Sequence, residues 1–337
     1  MPIKHRSRPA PGRRPAEDAA PSDSGPAEGS VRGLVTRAHG LWFEVALDGQ
    51  NRSIIATLRG QLKRRRQKTD IVAVGDRVWV GELPDGEGAI EYVEPRIRVL
   101  ARTARHTRDT EQIVLANPDQ VLFVFAVREP TPHVRMLDRF LILAELQDIP
   151  IRIAISKMDL VETTSDSCAD RVFASYEGIY PVHRISAVTG EGLPELRATL
   201  EGRITAVAGP SGVGKSSLLN ALDPDTARDV GAISLATGKG RHTTIGTRLH
   251  DLGNGTYVAD TPGIRALAMS AIPSDRLDWL YREFRPFLGG CFYPDCTHVH
   301  EPGCDVREAV ERGNIPLDRY ESYRALRTGD ELAEEVG

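Results

Sequence analysis

The stretch that most constrains this chain runs from Arg203 to Asn220, RITAVAGPSGVGKSSLLN. An apolar, β-leaning run (Ile204, Ala206, Val207) leads into Gly209, Pro210, Ser211, Gly212, Val213, Gly214, Lys215, Ser216 and Ser217. Helical spacing then begins at Leu218 and Leu219. A strand that turns through glycines into a helix is the context that the pattern G-x-x-x-x-G-K-S requires. The glycines let successive backbone N–H groups point inward around phosphate oxygens, and the helix behind them presents its positive end. In that geometry Lys215 reaches β- and γ-phosphates and Ser216 places its hydroxyl on Mg²⁺. A nucleoside triphosphate site on an α/β sheet is therefore expected.

A chain of 337 residues should hold two or three domains. The 40% hydrophobic and 27% charged fractions are those of a soluble globular protein. No apolar run approaches the roughly 20 residues that span a bilayer, and the basic first residues lack the apolar segment of a secretory signal. Residues 1–30, rich in Pro, Ala, Gly and charge, cannot bury enough surface to offset chain entropy and are expected to be disordered. From residue 31 to about 98 short alternating runs (Leu41–Leu47, Ser53–Leu58, Asp76–Gly81, Ala89–Val93) are punctuated by turn residues. About five strands in so short a span suit a small barrel of the OB type.

Between two of those strands lies a run in which six of ten residues are basic: Arg59, Lys63, Arg64, Arg65, Arg66 and Lys68. Residues 31–108 carry 15 Lys/Arg against 9 Asp/Glu, a local balance of +6 within a chain of net charge −4. A solvated loop of like charges is one reading of the run. On a barrel whose loops commonly bind nucleic acid, phosphate binding is favoured. Arg102, Arg105 and Arg108 follow in an expected linker.

The period changes at Asp119. Gln120–Val127 is apolar after its first residue, as for a strand buried on both faces of a parallel sheet. A helical pattern over Met136–Leu146, strands at Ile151–Ile155 and Val182–Ile185, and a helix at Leu193–Leu200 precede the glycine-rich strand. Strands alternating with helices predict a doubly wound sheet with its ligands at the carboxyl ends of the strands. Those ends carry Ser156-Lys157-Met158-Asp159, Ser186-Ala187, a loop with His242-Thr243-Thr244, and Asp260-Thr-Pro-Gly263. Each alone is an ordinary turn; together they predict a guanine-nucleotide site. Asp159 would accept from the guanine N–H groups, Lys157 would lay its stem along the base, and Ala187 would offer its N–H to the base carbonyl. Thr244 (or Thr243) and Asp260 would complete the Mg²⁺ shell, and Gly263 would meet the γ-phosphate.

In ordinary GTPases the phosphate motifs precede the base motifs; here the order is reversed. Cutting and rejoining the same sheet gives this order, because termini of such domains often lie close together. Downstream, Cys291, Cys296, His298 and Cys304 form a C-x4-C-x-H-x5-C set, with His300 as the alternative imidazole. Three thiolates and an imidazole leave no open position on a tetrahedral zinc, so a structural site is expected.

With these motifs the chain closely resembles, over about residues 31–330, the circularly permuted GTPases called ribosome small subunit-dependent GTPase A (RsgA). The likeness rests on the basic barrel, the permuted order, the loop Gly240-Arg-His242-Thr243-Thr244 and the cysteine–histidine segment taken together. It implies a multidomain chain. An OB-fold β-barrel would span 31–98, a circularly permuted P-loop GTPase domain 99–270, and a mainly helical zinc-binding domain 271–337. It further implies binding to the small ribosomal subunit and its rRNA, subunit-stimulated GTP hydrolysis in late maturation, GTP/GDP, Mg²⁺ and Zn²⁺, no membrane, a cytoplasmic or plastid setting and a monomer. Two positions depart from common GTPase patterns. Ser156 replaces the asparagine that normally ties the base loop to the P-loop, which predicts weaker affinity. Ile264 stands where Ras-like GTPases place a water-orienting glutamine; the resemblance assigns that role to His242, against the competing reading of a solvated loop histidine. Two other readings of the whole chain are a P-loop ATPase or small-molecule kinase, and an RNA-binding module gated by nucleotide with negligible catalysis.

Overall fold

The computed structural model describes residues 25–50, 52–59, 71–83, 86–103, 111–161, 171–223, 247–260 and 274–329. Of the expected disordered tail only residues 25–30 fall within it, and they form neither helix nor strand. Five strands follow: β1 (Val31–His39), β2 (Trp42–Leu47), β3 (Ser53–Leu58), β4 (Arg77–Glu82) and β5 (Gly88–Val93). They pair in the order β1-β2-β3-β5-β4, and β4 returns to β1, closing a barrel. The alternation read from the sequence places Val35, Phe43, Val45, Ile54, Val78, Val80 and Ile90 inside. The OB-type expectation for this segment holds.

The region expected as a linker is instead partly an antiparallel ribbon, β6 (Val99–Thr103) with β7 (Glu111–Ala116). Its apolar residues come in runs too short to show a period, and burial of Leu100, Leu115 and Ala116 decides the conformation. Arg102 therefore lies in a strand, whereas Arg105 and Arg108 lie outside the described residues.

The α/β layer contains β8 (Gln120–Ala126), β9 (Ile151–Ser156), β10 (Val182–Arg184), β11 (Ile204–Ala208), β12 (Arg248–Asp251) and β13 (Tyr257–Asp260). Their order is β10-β9-β8-β11-β13-β12, parallel except for the last pair. Every residue of β8 is buried, which is why its sequence shows no alternation. Helix α1 (Val134–Leu146) covers one face, with the Phe140 ring stacked on Phe123 at 5.4 Å. Helices α2 (Leu193–Leu200) and α3 (Lys215–Leu222) cover the other, burying Leu196, Leu200, Leu218 and Leu222 against Leu122, Val124 and Val207. Strand β12 also pairs with β1 through Arg37 and Arg248, so barrel and sheet are one hydrogen-bonded surface.

The C-terminal part is built from α4 (Leu277–Leu280), a 3₁₀ segment (Arg282–Phe287), α5 (Asp305–Glu311) and α6 (Leu317–Thr328). Tyr281, Phe284, Tyr320 and Tyr323 form its aromatic centre, and Ile142 of α1 joins the same core. An ionic junction reinforces the contact. Arg319, 1% exposed, bonds Asp138 of α1 and, at 2.7 Å, Glu283, while Tyr176 donates to Asp138 at 2.7 Å. Burial opposes the charge on Arg319, but Asp138 and then Glu283 outweigh it and hold the guanidinium firmly protonated. Two turns further along α1, Glu145 binds both Arg282 and Arg285. Among the described residues, no helix is long and apolar enough to cross a membrane.

Candidate functional site

The strand-to-helix turn after β11 forms as its glycines predict. A Cβ on Gly209 would lie 2.1 Å from the Val124 carbonyl oxygen, so no larger residue fits where this loop crosses β8. Gly214, at φ 91°, reverses the chain into α3, whose first residue is Lys215. The Lys215 ammonium donates to the carbonyls of Gly209 (2.9 Å) and Pro210 (2.6 Å), inside the loop it follows. Ser211, Gly212, Ser216 and Ser217 are exposed, and Val213 is buried. The amino end of α3, with its unpaired N–H groups, thus opens to solvent beside a cationic side chain, which suits a polyphosphate.

The second loop converges on the first. β9 ends at Ser156, which is 5% exposed and donates its hydroxyl to the Val213 carbonyl at 2.6 Å, with the Phe125 carbonyl 3.2 Å away. The tie expected of asparagine at this position is therefore made by a hydroxyl. Lys157 takes a left-handed conformation (φ 60°), runs its stem within about van der Waals reach of Gly214, and bonds the Glu129 carbonyl with its ammonium. Met158 opens the short 3₁₀ turn, its amide donating to Ile185. The Asp159 carboxylate accepts from the Ser186 hydroxyl at 2.5 Å, and that hydroxyl accepts from the amides of Val188 and Thr189. Ser186 thus fixes the direction of Asp159, next to the half-buried Ala187. Asp260 closes β13 beside Val207 of β11, one strand from the glycine-rich loop. Gly263, Thr243, Thr244, His242 and Ile264 lie outside the described residues.

The cysteine–histidine set also assembles. The donor atoms of Cys291, Cys296, His298 and Cys304 all lie within 4.8 Å of one another. Cys291 Sγ is 3.9 Å from Cys304 Sγ and 3.5 Å from His298 Nδ1, which is 3.3 Å from Cys304 Sγ. The edge of a tetrahedron with bonds of ~2.3 Å is about 3.8 Å, so the donor set fits a zinc ion. His300 is exposed and outside the set. Burial would lower the His298 pKa, but Asp278, 3.6 Å from its Nε2, and Cys304 raise it to about 9. Burial would raise the Cys304 thiol, but the bond to His298 and a backbone donor bring it down to about 7.

Two supporting groups were not foreseen. Asp278 orients the imidazole from outside the ligand set, as carboxylates behind metal-bound histidines do. The Glu301 carboxylate accepts from the amides of Thr297, Val299 and His300 and from the Thr297 hydroxyl, clamping the turn that carries His298. Burial opposes its charge, yet those donors, the Thr297 hydroxyl first, hold it well below the usual carboxylate range. Asp278 was hidden by its distance in sequence from His298, and Glu301, four positions from Thr297, by a residue type that reads as ordinary surface charge. Of the basic run, Arg59 is exposed and paired with Glu91 at 2.5 Å; Lys63, Arg64, Arg65, Arg66 and Lys68 lie outside the described residues.

Comparisons with known proteins agree with this geometry. The family described as RsgA GTPase matches residues 93–270. The protein named small ribosomal subunit biogenesis GTPase RsgA from Gemmatimonas aurantiaca is 46% identical over 309 residues, 90% of this chain and 98% of that one. The protein of the same name from Thermotoga maritima is 38% identical over 292 residues, 87% and 94% of the two chains. Among solved structures, YjeQ from Thermotoga maritima superposes with a TM-score of 0.74 at 35% identity, covering 89% of this chain and 98% of its own. YloQ, described as a circularly permuted GTPase, gives 0.70 at 28% identity, covering 91% and 97%. With relatives of this identity aligned along nearly their whole length, the chain belongs to the RsgA GTPase family.

Proposed function

We propose that this chain is a GTPase that docks on the small ribosomal subunit and hydrolyses GTP faster when docked, during late maturation of that subunit. The observation that carries the reading is the convergence of two loops. Ser156 ties the base loop to Val213 of the P-loop, and Ser186 holds the Asp159 carboxylate that would accept from a guanine. An adenine lacks the N–H pair that a carboxylate would accept, so the pocket selects GTP over ATP, against the kinase and ATPase readings. The names of the curated relatives point to the same partner.

The division of labour follows the three parts of the chain, 31–98, 99–270 and 271–337. Gly209 to Gly214, Ser217 and Gly263 would surround the phosphates with N–H groups, and Lys215 would neutralise charge on the β- and γ-oxygens. Ser156, Lys157, Met158, Asp159, Ser186 and Ala187 would hold the base. Ser216, Thr244 and Asp260 would hold Mg²⁺, which supplies charge neutralisation between β- and γ-phosphates. His242 would orient the attacking water, since Ile264 cannot. Cys291, Cys296, His298 and Cys304 would hold a structural Zn²⁺ that locks the C-terminal turn. Arg59, Lys63, Arg64, Arg65, Arg66 and Lys68 would meet rRNA phosphates. The protein would act as a cytoplasmic monomer.

GTP turnover with isolated small subunits, with large subunits and with neither tests the proposal. Stimulation by small subunits alone is expected; equal rates in all three would reject it, and binding without stimulation would leave a nucleotide-gated RNA-binding module.

A further inference from the structure

At the opposite end of the sheet from the nucleotide loops, two arginines converge on a single neutral acceptor. Gln120, 1% exposed at the start of β8, accepts on one carbonyl oxygen from Arg152 Nε of β9 (2.8 Å) and Arg203 Nη1 ahead of β11 (3.2 Å). Its amide nitrogen donates to the Thr199 carbonyl and the Thr205 hydroxyl, both at 3.0 Å, so the side chain cannot turn away. Arg152 Nη1 also donates to His183 Nε2 at 3.3 Å.

No carboxylate balances this group among the described residues. Asp119 accepts from the Ile204 amide at 2.7 Å, and neither it nor Glu201 pairs with Arg152 or Arg203 within 4.0 Å. The charge is correspondingly strained: burial, then the neighbouring Arg203, lowers the Arg152 pKa, and burial, then Arg152, lowers that of His183. Arg203 is exposed and Arg152 half-buried, and each guanidinium keeps a terminal nitrogen that these bonds do not use. Two like charges held on one neutral acceptor repel each other, and an arriving anion would relieve the repulsion.

We propose that Arg152 and Arg203, braced by Gln120, form a second anion site that takes a backbone phosphate of RNA when the chain docks on the small subunit. The partner rests on the function proposed above; the anion site does not. Paired guanidinium forks suit the two free oxygens of a phosphodiester. None of the large apolar side chains exposed among the described residues belongs to these strand ends, so the surface lacks the apolar centre of a protein–protein contact. The site lies at the amino ends of β8, β9 and β11, and the nucleotide loops leave their carboxyl ends. A five-residue strand of ~3.3 Å per residue separates the two by roughly 17 Å, so RNA and GTP do not compete.

The test is the salt dependence of binding, with the full chain loaded with a non-hydrolysable GTP analogue. Isolated small subunits and the same subunit's protein-free rRNA serve as two targets, titrated with KCl. For Arg152→Gln with Arg203→Gln the slope of log affinity against log salt should fall by about 0.7–0.9, the share of one phosphate, and for Arg203→Gln alone by about half of that. Arg152→Lys with Arg203→Lys should restore most of the slope, which a scaffolding role would not. Arg203→Gln changes an exposed side chain and should leave free GTP hydrolysis and the thermal midpoint unchanged, so it carries the test even if Arg152→Gln misfolds. Slopes unchanged on both targets would overturn the site. A loss on subunits but not on protein-free rRNA would overturn it too, assigning the arginines to an acidic protein. A loss on rRNA from a wild-type chain that ignores intact subunits would sustain the anion site and refute the functional proposal instead.

Discussion

Replacing Arg319 by methionine tests how the C-terminal module is held on the GTPase layer. The guanidinium is 1% exposed and neutralises Asp138 and Glu283, whose side chains are 2% and 5% exposed. Methionine keeps much of the length but leaves two buried carboxylates facing each other without a cation. Removing one partner of a buried ionic group typically costs 3–5 kcal/mol. About 4 kcal/mol corresponds to roughly a 10³-fold rise in local opening. Because the chain has several modules, hydrogen exchange read by segment is a better assay than a single unfolding midpoint. Amides of α6 and of the 3₁₀ segment should lose about three orders of magnitude of protection, while β8 and β11 should change little. Adding Asp138→Leu and Glu283→Gln should recover much of the loss, since an apolar replacement of a buried ionic cluster is often neutral. Protection of α6 lowered by less than tenfold in Arg319→Met would refute the claim that this junction anchors the module.

Asp159→Asn should move preference from GTP toward XTP, because the amide presents a donor where xanthine has a carbonyl; a mismatched buried pair is worth ~10⁴-fold. Competition binding that still ranks GTP above XTP would remove Asp159 from the base site. The purified protein should contain zinc, and Cys296→Ala or chelation should release protection over residues 291–304 while GDP binding persists, since structural zinc contributes on the order of 10 kcal/mol. Metal analysis finding none would end that assignment. His242→Ala should lower subunit-stimulated turnover by about 10²-fold with GTP affinity and docking unchanged; undiminished stimulated turnover would exclude the histidine.

What could be read from the residues was what is local in sequence. The glycine-rich turn, the base loop and the metal set are each contiguous, and their residue types carry their chemistry. Ser156 shows the boundary. Its departure from asparagine predicts a weakened tie, yet the hydroxyl reaches the Val213 carbonyl at 2.6 Å, a contact across 57 positions that composition cannot disclose. The β6–β7 ribbon was hidden because its strands are decided by burial rather than by their own period. Arg319 sits in the run Asp318-Arg-Tyr-Glu-Ser-Tyr and looks like an ordinary solvent-facing arginine; only the packing of α6 on α1, 181 positions away, reveals its partner. Asp278 was concealed for the same reason, whereas Glu301 lies within the metal segment and was passed over because a lone carboxylate there reads as surface charge.

The permuted strand order has a consequence for biosynthesis. β11 lies between β8 and β13, but β8 leaves the synthesising ribosome first, and its partner Thr205 follows Gln120 by 85 positions. At 5–20 residues per second, the edge of β8 that β11 will cover stays unpaired for about 4–17 s. That edge belongs to a strand buried along its whole length, the kind of surface that pairs with other chains. A chain cut at Gly202 should therefore self-associate, and light scattering that finds it monomeric at micromolar concentration would contradict this. In an ordinary GTPase the P-loop strand is made first and the later strands add beside it; here the middle of the sheet is filled after one flank is already laid down.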